Sequence, residues 1–312
     1  MLTLAAALLL SPVSTPVEVA STPAALQGTL LTPEGQMRAA AVIIAGSGPT
    51  DRDGNSPVGV TGGVYHQLAE GLAERGIATV RFDKRGIAAS APAATGEANL
   101  TFDTFIDDAK AWARQTAQKT GAPCVWLIGH SEGALIAQAA AANNPGVCGL
   151  VLLSPVGVRA NIELRRQLEP KLPPAVKPEV DHILNELEAG NELEAGRTVM
   201  ETPPYLAALF RPSIQPYLIS YFVVDPQALI AAYDRPVLLG HGSTDIQVVP
   251  ANSETLLAAQ PKAERIVFEG LNHILRQAPT DPAGNAATYG DASIPLGAEV
   301  VPAVADFILK AR

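Results

Sequence analysis

Residues 125–144 read VWLIGHSEGALIAQAAAANN and join an apolar run to an Ala-rich segment through two glycines. The apolar run Val125 to Ile128 predicts a buried strand, and the Ala-rich segment after Gly133 predicts a helix. Between them, residues 129–133 match the pattern Gly-x-Ser-x-Gly, which forms a sharp strand-to-helix turn that exposes its serine at the top of a sheet. The stretch therefore predicts Ser131 as a nucleophile; the alternative is a tight glycine-rich turn with an incidental serine.

Strand and helix patterns alternate along the rest of the chain. Apolar runs predict strands at 39–46, 77–83, 124–129, 149–154, from 236 and at 264–270, and helical patterns lie at 65–75, 101–119, 132–143, 250–260 and 296–311. This order predicts an α/β fold with a doubly wound, mostly parallel sheet, with ligands at the carboxyl ends of its strands. Residues 155–234 break the alternation and predict a helical cap inserted into a core made of 23–154 and 235–312.

A serine nucleophile needs a base and a carboxylate that orients the base, and this fold presents them in the order Ser, Asp or Glu, His. His273 follows the last predicted strand and is the predicted base. Asp245 follows the preceding strand and is the predicted carboxylate. The other histidines are His66, His130, His182 and His241, and the rival carboxylates are Asp225, Asp234 and Glu269.

Acyl transfer also needs two donors for the oxyanion that develops on the substrate. The backbone amide of Glu132 is predicted as the first donor, and the amide of Ser47 or Gly48, with Ser47 preferred, as the second. Residues 51–55 of the same loop predict either substrate-facing polar groups or, as the favoured interpretation, an internal network that fixes the loop. Asp83 and Arg85 are predicted to form a buried structural pair.

Composition and charge narrow the function. The 312 residues carry a net charge of −9, which argues against a nucleic-acid partner. The sequence contains no apolar run long enough to span a membrane, which predicts no integral membrane association, and two cysteines cannot build a zinc or iron–sulfur cluster. Cys124 and Cys148 lie at equivalent positions of two strands, so they form either a disulfide, if the strands are neighbours, or two buried thiols.

The N-terminal residues suggest export. Leu2 to Leu10 is an apolar segment followed by a Pro/Ser/Thr-rich stretch, although no Lys or Arg precedes Arg38. Residues 1–22 are therefore predicted to be a signal peptide, with a disordered tail as the alternative. The predicted location is the periplasm or the exterior, with the cytoplasm as the alternative.

Several segments resemble the α/β-hydrolase superfamily, in particular serine esterases of bacterial carboxylesterase type with a helical cap. They are AGSGPTDRDGN (45–55), RFDKRGIAAS (81–90), LIGHSEGALIA (127–137), PVLLGHGSTDIQV (236–248) and EGLNHIL (269–275), and 209–226 resembles the caps of that group. The resemblance implies hydrolysis of small-molecule carboxylic esters, with small to medium acyl groups, through an acyl-enzyme and without a cofactor or metal. Ser131, Asp245 and His273 would form the triad, and the Ser47 and Glu132 amides would hold the oxyanion.

One residue departs from that pattern, and three other functions are alternatives to ester hydrolysis. Glu132 stands where many relatives have a neutral residue, and its side chain is expected to select against acidic substrates. Thioester or peptide cleavage by the same triad is the alternative activity, and a hydrolase-fold protein that only binds a ligand is the third interpretation. Apolar residues of the insertion form either an acyl pocket or the contact of cap and sheet: Tyr205, Leu209, Phe210, Tyr217, Tyr221 and Phe222. The sequence leaves the oligomeric state open.

Overall fold

An eight-stranded sheet, in the order β1-β2-β4-β3-β5-β6-β7-β8, organises the computed structural model, which describes residues 11–193 and 204–311 without the side chains of 204 and 205. The strands are β1 (Val13–Val19), β2 (Leu26–Thr32), β3 (Ala39–Ile44), β4 (Ile77–Phe82), β5 (Val125–His130), β6 (Val147–Leu153), β7 (Val237–Gly242) and β8 (Glu264–Phe268). β2 pairs antiparallel with β1 and β4, and the remaining pairs are parallel. The predicted mostly parallel sheet is confirmed.

The two antiparallel strands, β1 at the edge of the sheet and β2 beside it, were not predicted. β1 lies within residues 1–22, so the disordered alternative is wrong for Val13–Val19, whereas residues 1–10 of the predicted signal peptide lie outside the described residues. β1 is mostly exposed and contains Pro16. Proline has no N–H to donate to a neighbouring strand, so it is found mainly at the edges of sheets. Neither strand carries the continuous apolar run that marks the central strands, which explains why the pattern was missed.

The chain reverses direction across the sheet at β3. β4 pairs on one side of β3 and β5 on the other, so the loops that follow β3 and β5 diverge from a crevice at the carboxyl ends of these strands. Such a switch point is where open α/β sheets bind ligands. Gly46 follows β3 and Ser131 follows β5, so both residues lie at this crevice.

Helices cover both faces of the sheet because its central strands alternate their apolar side chains between the faces. On β3, Val42 and Ile44 contribute to one buried cluster, and Ala41 and Ile43 contribute to the other. The helices are α1 (Val64–Glu74), α2 (Phe102–Thr120), α3 (Glu132–Ala141), α4 (Ala160–Leu168), α5 (Lys177–Glu188), α6 (Pro204–Phe210), α7 (Gln215–Phe222), α8 (Pro226–Ala231), α9 (Ala251–Ala259), α10 (Pro282–Ala287) and α11 (Val300–Lys310). None of the described helices is both long enough and apolar enough to cross a membrane.

Helices α4 to α8 lie between β6 and β7, in the segment predicted as a helical insertion. α7 packs against α2 of the core: the rings of Phe102 and Tyr221 stack at 4.6 Å, and those of Phe105 and Tyr217 meet edge-on at 5.7 Å. The Phe102 amide also donates to Ser220 Oγ at 2.8 Å. These contacts hold the insertion over the carboxyl ends of the strands.

Cys124 and Cys148 form a disulfide, with their Cα atoms 5.3 Å apart. Cys124 immediately precedes β5 and Cys148 lies on β6, and these strands are parallel neighbours in the sheet. The disulfide closes a segment with a sequence separation of 24 residues. In the chain-entropy account, a loop of this length stabilises the fold by about 3 kcal/mol.

Candidate active site

The turn between β5 and α3 presents Ser131 in a strained conformation. Its φ is 54° and its ψ is −123°, a combination that a residue with a Cβ rarely adopts. Both flanking glycines are required by close backbone contacts. A Cβ on Gly129 would lie 2.2 Å from the Gly133 carbonyl oxygen, and a Cβ on Gly133 would lie 2.3 Å from the Ile44 carbonyl oxygen. The turn therefore has the geometry expected of a nucleophile elbow.

Asp245 and His273 form a buried hydrogen-bonded pair. His273 Nδ1 lies 2.8 Å from Asp245 Oδ2, and the other carboxylate oxygen accepts from the amides of Gln247 and Val248 at 3.0 and 2.9 Å. Burial alone would raise the pKa of Asp245, but attraction to His273 and hydrogen bonds from His241 and His273 outweigh it and hold this pKa below its ordinary value. The ionised carboxylate keeps the proton on Nδ1 and leaves Nε2 able to accept another.

His130 connects the elbow to His273 and to α1. Its Nε2 lies 2.7 Å from the His273 carbonyl oxygen and its Nδ1 lies 2.8 Å from the Tyr65 hydroxyl. A carbonyl only accepts, so Nε2 carries the proton and the Tyr65 hydroxyl donates to Nδ1. Burial lowers the pKa of His130 to about 3, in keeping with this neutral tautomer. The Tyr65 oxygen in turn accepts from the Gly46 amide at 3.2 Å.

A cavity of about 730 Å³ opens over the elbow and is enclosed by core loops and the insertion. Ser131 and Glu132 lie at its base, together with Ser47 and Gly48 of the loop after β3. Of the insertion's predicted apolar residues, Leu209, Tyr217, Tyr221 and Phe222 line it. Phe210 is buried without lining it, and the Tyr205 side chain lies outside the described part of the chain.

The predicted oxyanion donors lie on the two loops that meet at this base. Within the described ranges, neither the Ser47 amide nor the Glu132 amide donates to a backbone or side-chain acceptor. Gly46 brings the loops together, because a Cβ at that position would lie 3.2 Å from Ser131 Cβ. The Glu132 amide lies at the N-terminus of α3, where the helix dipole favours negative charge, and the Ser47 amide lies on the loop after β3.

The side chain of Glu132 is buried and paired with Lys84, a residue that the sequence analysis had not singled out. Lys84 Nζ lies 3.3 Å from Glu132 Oε1 and 2.5 Å from the Gly46 carbonyl oxygen. A lysine just after a buried strand needs such partners, and that requirement was the available clue in the sequence. The charge of Glu132 is thus compensated, which removes the physical basis for its expected selection against acidic substrates.

The polar loop after β3 is tied to the core by its charged residues. Asp51 accepts from the amides of Asp53 and Asn55, both at 2.9 Å, while Asp53 pairs with Arg81. These bonds agree with the favoured interpretation of a network that fixes the loop.

The predicted pair of Asp83 and Arg85 is wrong in its partners. Asp83 pairs with Arg52 and Arg85 pairs with Asp108, each at 2.6 Å. Arg52 lies on the loop after β3, and Asp108 lies on α2. In each pair the guanidinium donates two hydrogen bonds to one carboxylate, an arrangement that suits buried charges.

The rival triad residues lie elsewhere. Asp225 caps α8 through the amides of Gln227 and Ala228, Glu269 accepts from Ser243 Oγ at 3.0 Å, and Asp234 is exposed. His241 is fully buried, with Nε2 2.7 Å from the Val248 carbonyl oxygen and 3.4 Å from Asp245 Oδ2. The sequence patterns did not predict this second contact to Asp245. His66 and His182 are exposed beside Glu70 and Glu186.

No group of three or more His, Cys, Asp or Glu side chains suited to a metal ion occurs in the described part of the chain. Comparison with known sequences gives one partial match. A family model described as "serine aminopeptidase, S33" matches residues 58–202, a range that includes the elbow but neither Asp245 nor His273. The sequences of curated proteins show no significant match.

Solved structures match over almost the whole chain. Est1E from Butyrivibrio proteoclasticus shares 18% identity with a TM-score of 0.59, over 95% of this chain and 98% of Est1E. An esterase of Pyrococcus furiosus shares 17% identity and a TM-score of 0.60, over 96% and 91% of the two chains. A carboxyl esterase from Bacillus coagulans shares 16% identity and a TM-score of 0.60, over 96% and 98%. At these identities the likeness shows a shared fold.

Proposed function

We propose that this protein, which has the α/β-hydrolase fold, is a serine hydrolase that cleaves carboxylic esters with small to medium acyl groups. The observation that supports the proposal most strongly is the strained Ser131 at the base of the cavity, on the loop whose His130 contacts the His273 of a buried Asp–His pair. Backbone strain concentrates at functional sites because a folded protein keeps it only where the conformation is needed. The structural neighbours named as esterases agree with this activity.

In this mechanism Ser131 Oγ attacks the ester carbonyl carbon while His273 Nε2 takes the hydroxyl proton. The carbonyl oxygen becomes an oxyanion held by the Ser47 and Glu132 amides. When this tetrahedral intermediate collapses, the bond to the alcohol oxygen breaks. The alcohol oxygen takes the proton from His273 and departs, and the acyl group stays on Ser131 as an acyl-enzyme. A water molecule, deprotonated by His273, then attacks the acyl-enzyme; as the bond to Ser131 Oγ breaks, His273 returns the proton to Ser131 and the acid is released. Asp245 keeps His273 in the tautomer that both steps need.

The charges around the cavity favour a neutral substrate. Each lining glutamate has a cationic partner: Glu97 pairs with Arg211, Glu132 with Lys84 and Glu163 with Arg166. An aminopeptidase needs a group that recognises the free α-ammonium of its peptide substrate. A carboxylate that is already paired with a cation recognises this ammonium poorly. The match to the serine aminopeptidase model keeps peptide cleavage as the second candidate, together with thioester cleavage. A ligand-binding protein without activity is the third.

Turnover of p-nitrophenyl acetate, butyrate and octanoate tests the proposed function. Each methylene buried in the apolar part of the cavity contributes about 0.8 kcal/mol, so kcat/KM is expected to rise up to about 15-fold from acetate to butyrate. The measurement is the initial rate of p-nitrophenolate release by folded protein, with amino-acid p-nitroanilides and an acyl-CoA run in parallel. Cleavage of either of these without ester turnover would move the assignment to a peptidase or thioesterase, and no turnover at all would favour the binding protein.

We also propose export to an oxidising compartment. The Cys124–Cys148 disulfide supports this, since disulfides persist mainly outside the reducing cytosol. Fractionation of a bacterium that expresses the whole chain tests the proposal: the protein is expected in the periplasmic or culture fraction. Recovery with cytosolic markers, with both thiols free, would refute it.

A further inference from the structure

Lys84 occupies an unusual position for a lysine. Its side chain is 5% exposed and lies at the base of the cavity, 5.6 Å from the centre of the Phe105 ring. Its ammonium group donates to the Gly46 carbonyl oxygen at 2.5 Å and to Glu132 Oε1 at 3.3 Å. Lysines are rarely buried to this extent, so these two contacts identify what the charge stabilises.

The first contact acts on the peptide that carries a proposed oxyanion donor. The Gly46 carbonyl and the Ser47 N–H belong to one peptide unit, which is trans. In a planar trans peptide these two groups point in opposite directions. With the carbonyl held by Lys84, the Ser47 N–H must point away from the lysine. A cation on the carbonyl oxygen also polarises the peptide and strengthens the opposite N–H as a donor.

The second contact acts on the residue that carries the other proposed donor. Glu132 is the first residue of α3, and its carboxylate is held by the same ammonium group. Lys84 itself follows β4, so one cation joins the loops after β3, β4 and β5. Gly46 is fixed from its other side as well, because its amide donates to the Tyr65 hydroxyl at 3.2 Å. Two buried side chains thus determine the orientation of the Gly46–Ser47 segment.

We propose that Lys84 is the positioning residue of the oxyanion hole, acting through the Gly46–Ser47 peptide and through Glu132. This inference rests on the proposed function. Its contribution appears when negative charge develops on the substrate oxygen, so it affects the transition state far more than the bound ester.

The test compares wild type with Lys84→Met, which keeps the length of the side chain and removes its charge. We expect kcat for p-nitrophenyl butyrate to fall about 100-fold with KM changed less than about 3-fold, as for loss of an oxyanion contact. Affinity for an alkyl trifluoromethyl ketone, whose adduct with Ser131 carries the oxyanion, should fall by a similar factor. Affinity for butyramide, an uncharged ground-state analogue, should stay within about 3-fold.

Two further variants separate positioning from folding. Lys84→Met alone leaves Glu132 buried without its cation, so its Tm is expected to fall. Lys84→Met with Glu132→Gln removes both charges and should recover much of the Tm while keeping the loss of kcat. Asp108→Asn disrupts the neighbouring buried pair with Arg85, which contacts neither Gly46 nor Glu132, and should keep the wild-type kcat.

The outcomes distinguish the two proposals. Recovery of wild-type kcat in the double variant would show that Lys84 only neutralises Glu132 and would overturn the inference. Equal losses of affinity for the ketone and for butyramide would also overturn it, because a positioning role is specific to the oxyanion. An inactive wild type that does not react with the ketone would instead refute the proposed function.

Discussion

Replacement of Ser131 by alanine is expected to lower kcat for p-nitrophenyl butyrate by about 10⁵-fold or more, since the acyl-enzyme can no longer form. The fold should tolerate the change. Alanine keeps the Cβ that the turn already accommodates at φ 54°, and the free energy of unfolding should change by less than about 1 kcal/mol. Initial rates, together with mass detection of acyl transfer from the ester to the protein, check the prediction.

Ser154→Ala is the matched control. Ser154 follows β6, the strand next to β5, and has a φ of 46° and a fully buried side chain, but it does not line the cavity. A serine at the end of a neighbouring strand with a similarly positive φ should therefore keep the wild-type kcat. If Ser131→Ala keeps more than a tenth of the activity while remaining folded, the nucleophile lies elsewhere and the proposed mechanism fails.

The sequence predicted the centre of this molecule better than its edges. Central parallel strands are buried on both faces, so they stand out as apolar runs, and the ends of those runs place Ser131, Asp245 and His273 at one edge of the sheet. The antiparallel strand β1 has one partner and is mostly exposed, while β2 is paired on both sides but interrupts its apolar residues with Gln27 and Thr29, so neither strand shows such a run. A strand is therefore recognised from its sequence when its apolar residues are continuous, as in the central parallel strands.

Side-chain pairing between distant segments was the least predictable feature. Asp83 and Arg85 are close in sequence, which suggested a mutual pair, yet each finds its partner 31 or 23 residues away. Likewise, Lys84 follows β4, Gly46 follows β3 and Glu132 follows β5. These residues meet because β4, β3 and β5 are adjacent in the sheet. Strand order determines these contacts, and a local pattern does not specify strand order.

Replacement of Asp245 by asparagine is expected to lower kcat by about 10³- to 10⁴-fold through the tautomer of His273. Oδ1 of Asp245 accepts from two amides, those of Gln247 and Val248, so this position must stay an oxygen in the variant. The new NH₂ group then replaces Oδ2, 2.8 Å from His273 Nδ1. It donates to Nδ1 and leaves the ring proton on Nε2, where His273 can no longer accept the proton of Ser131.

The unfolding free energy of Asp245→Asn should be less sensitive to acid than that of the wild type. The pKa of Asp245 in the folded protein lies below its ordinary value, so its carboxylate favours the folded state above about pH 4, the range where the unfolded chain is also ionised. That contribution is lost as the pH falls through the lower, folded-state pKa. Asp245→Asn lacks it at every pH. The variant should therefore lose less unfolding free energy than wild type when urea unfolding is compared at pH 7 and pH 3.

Asp225→Asn is the control for the kinetic effect, because asparagine can keep the cap on α8 that the Asp225 carboxylate provides. Its kcat should equal that of the wild type. Exchange of the two results, with Asp225→Asn inactive and Asp245→Asn active, would assign the orienting carboxylate to the insertion. A loss of activity in Asp245→Asn that disappears when the pH is raised would instead contradict the tautomer argument, since the NH₂ group fixes the Nδ1 lone pair at every pH at which His273 is neutral.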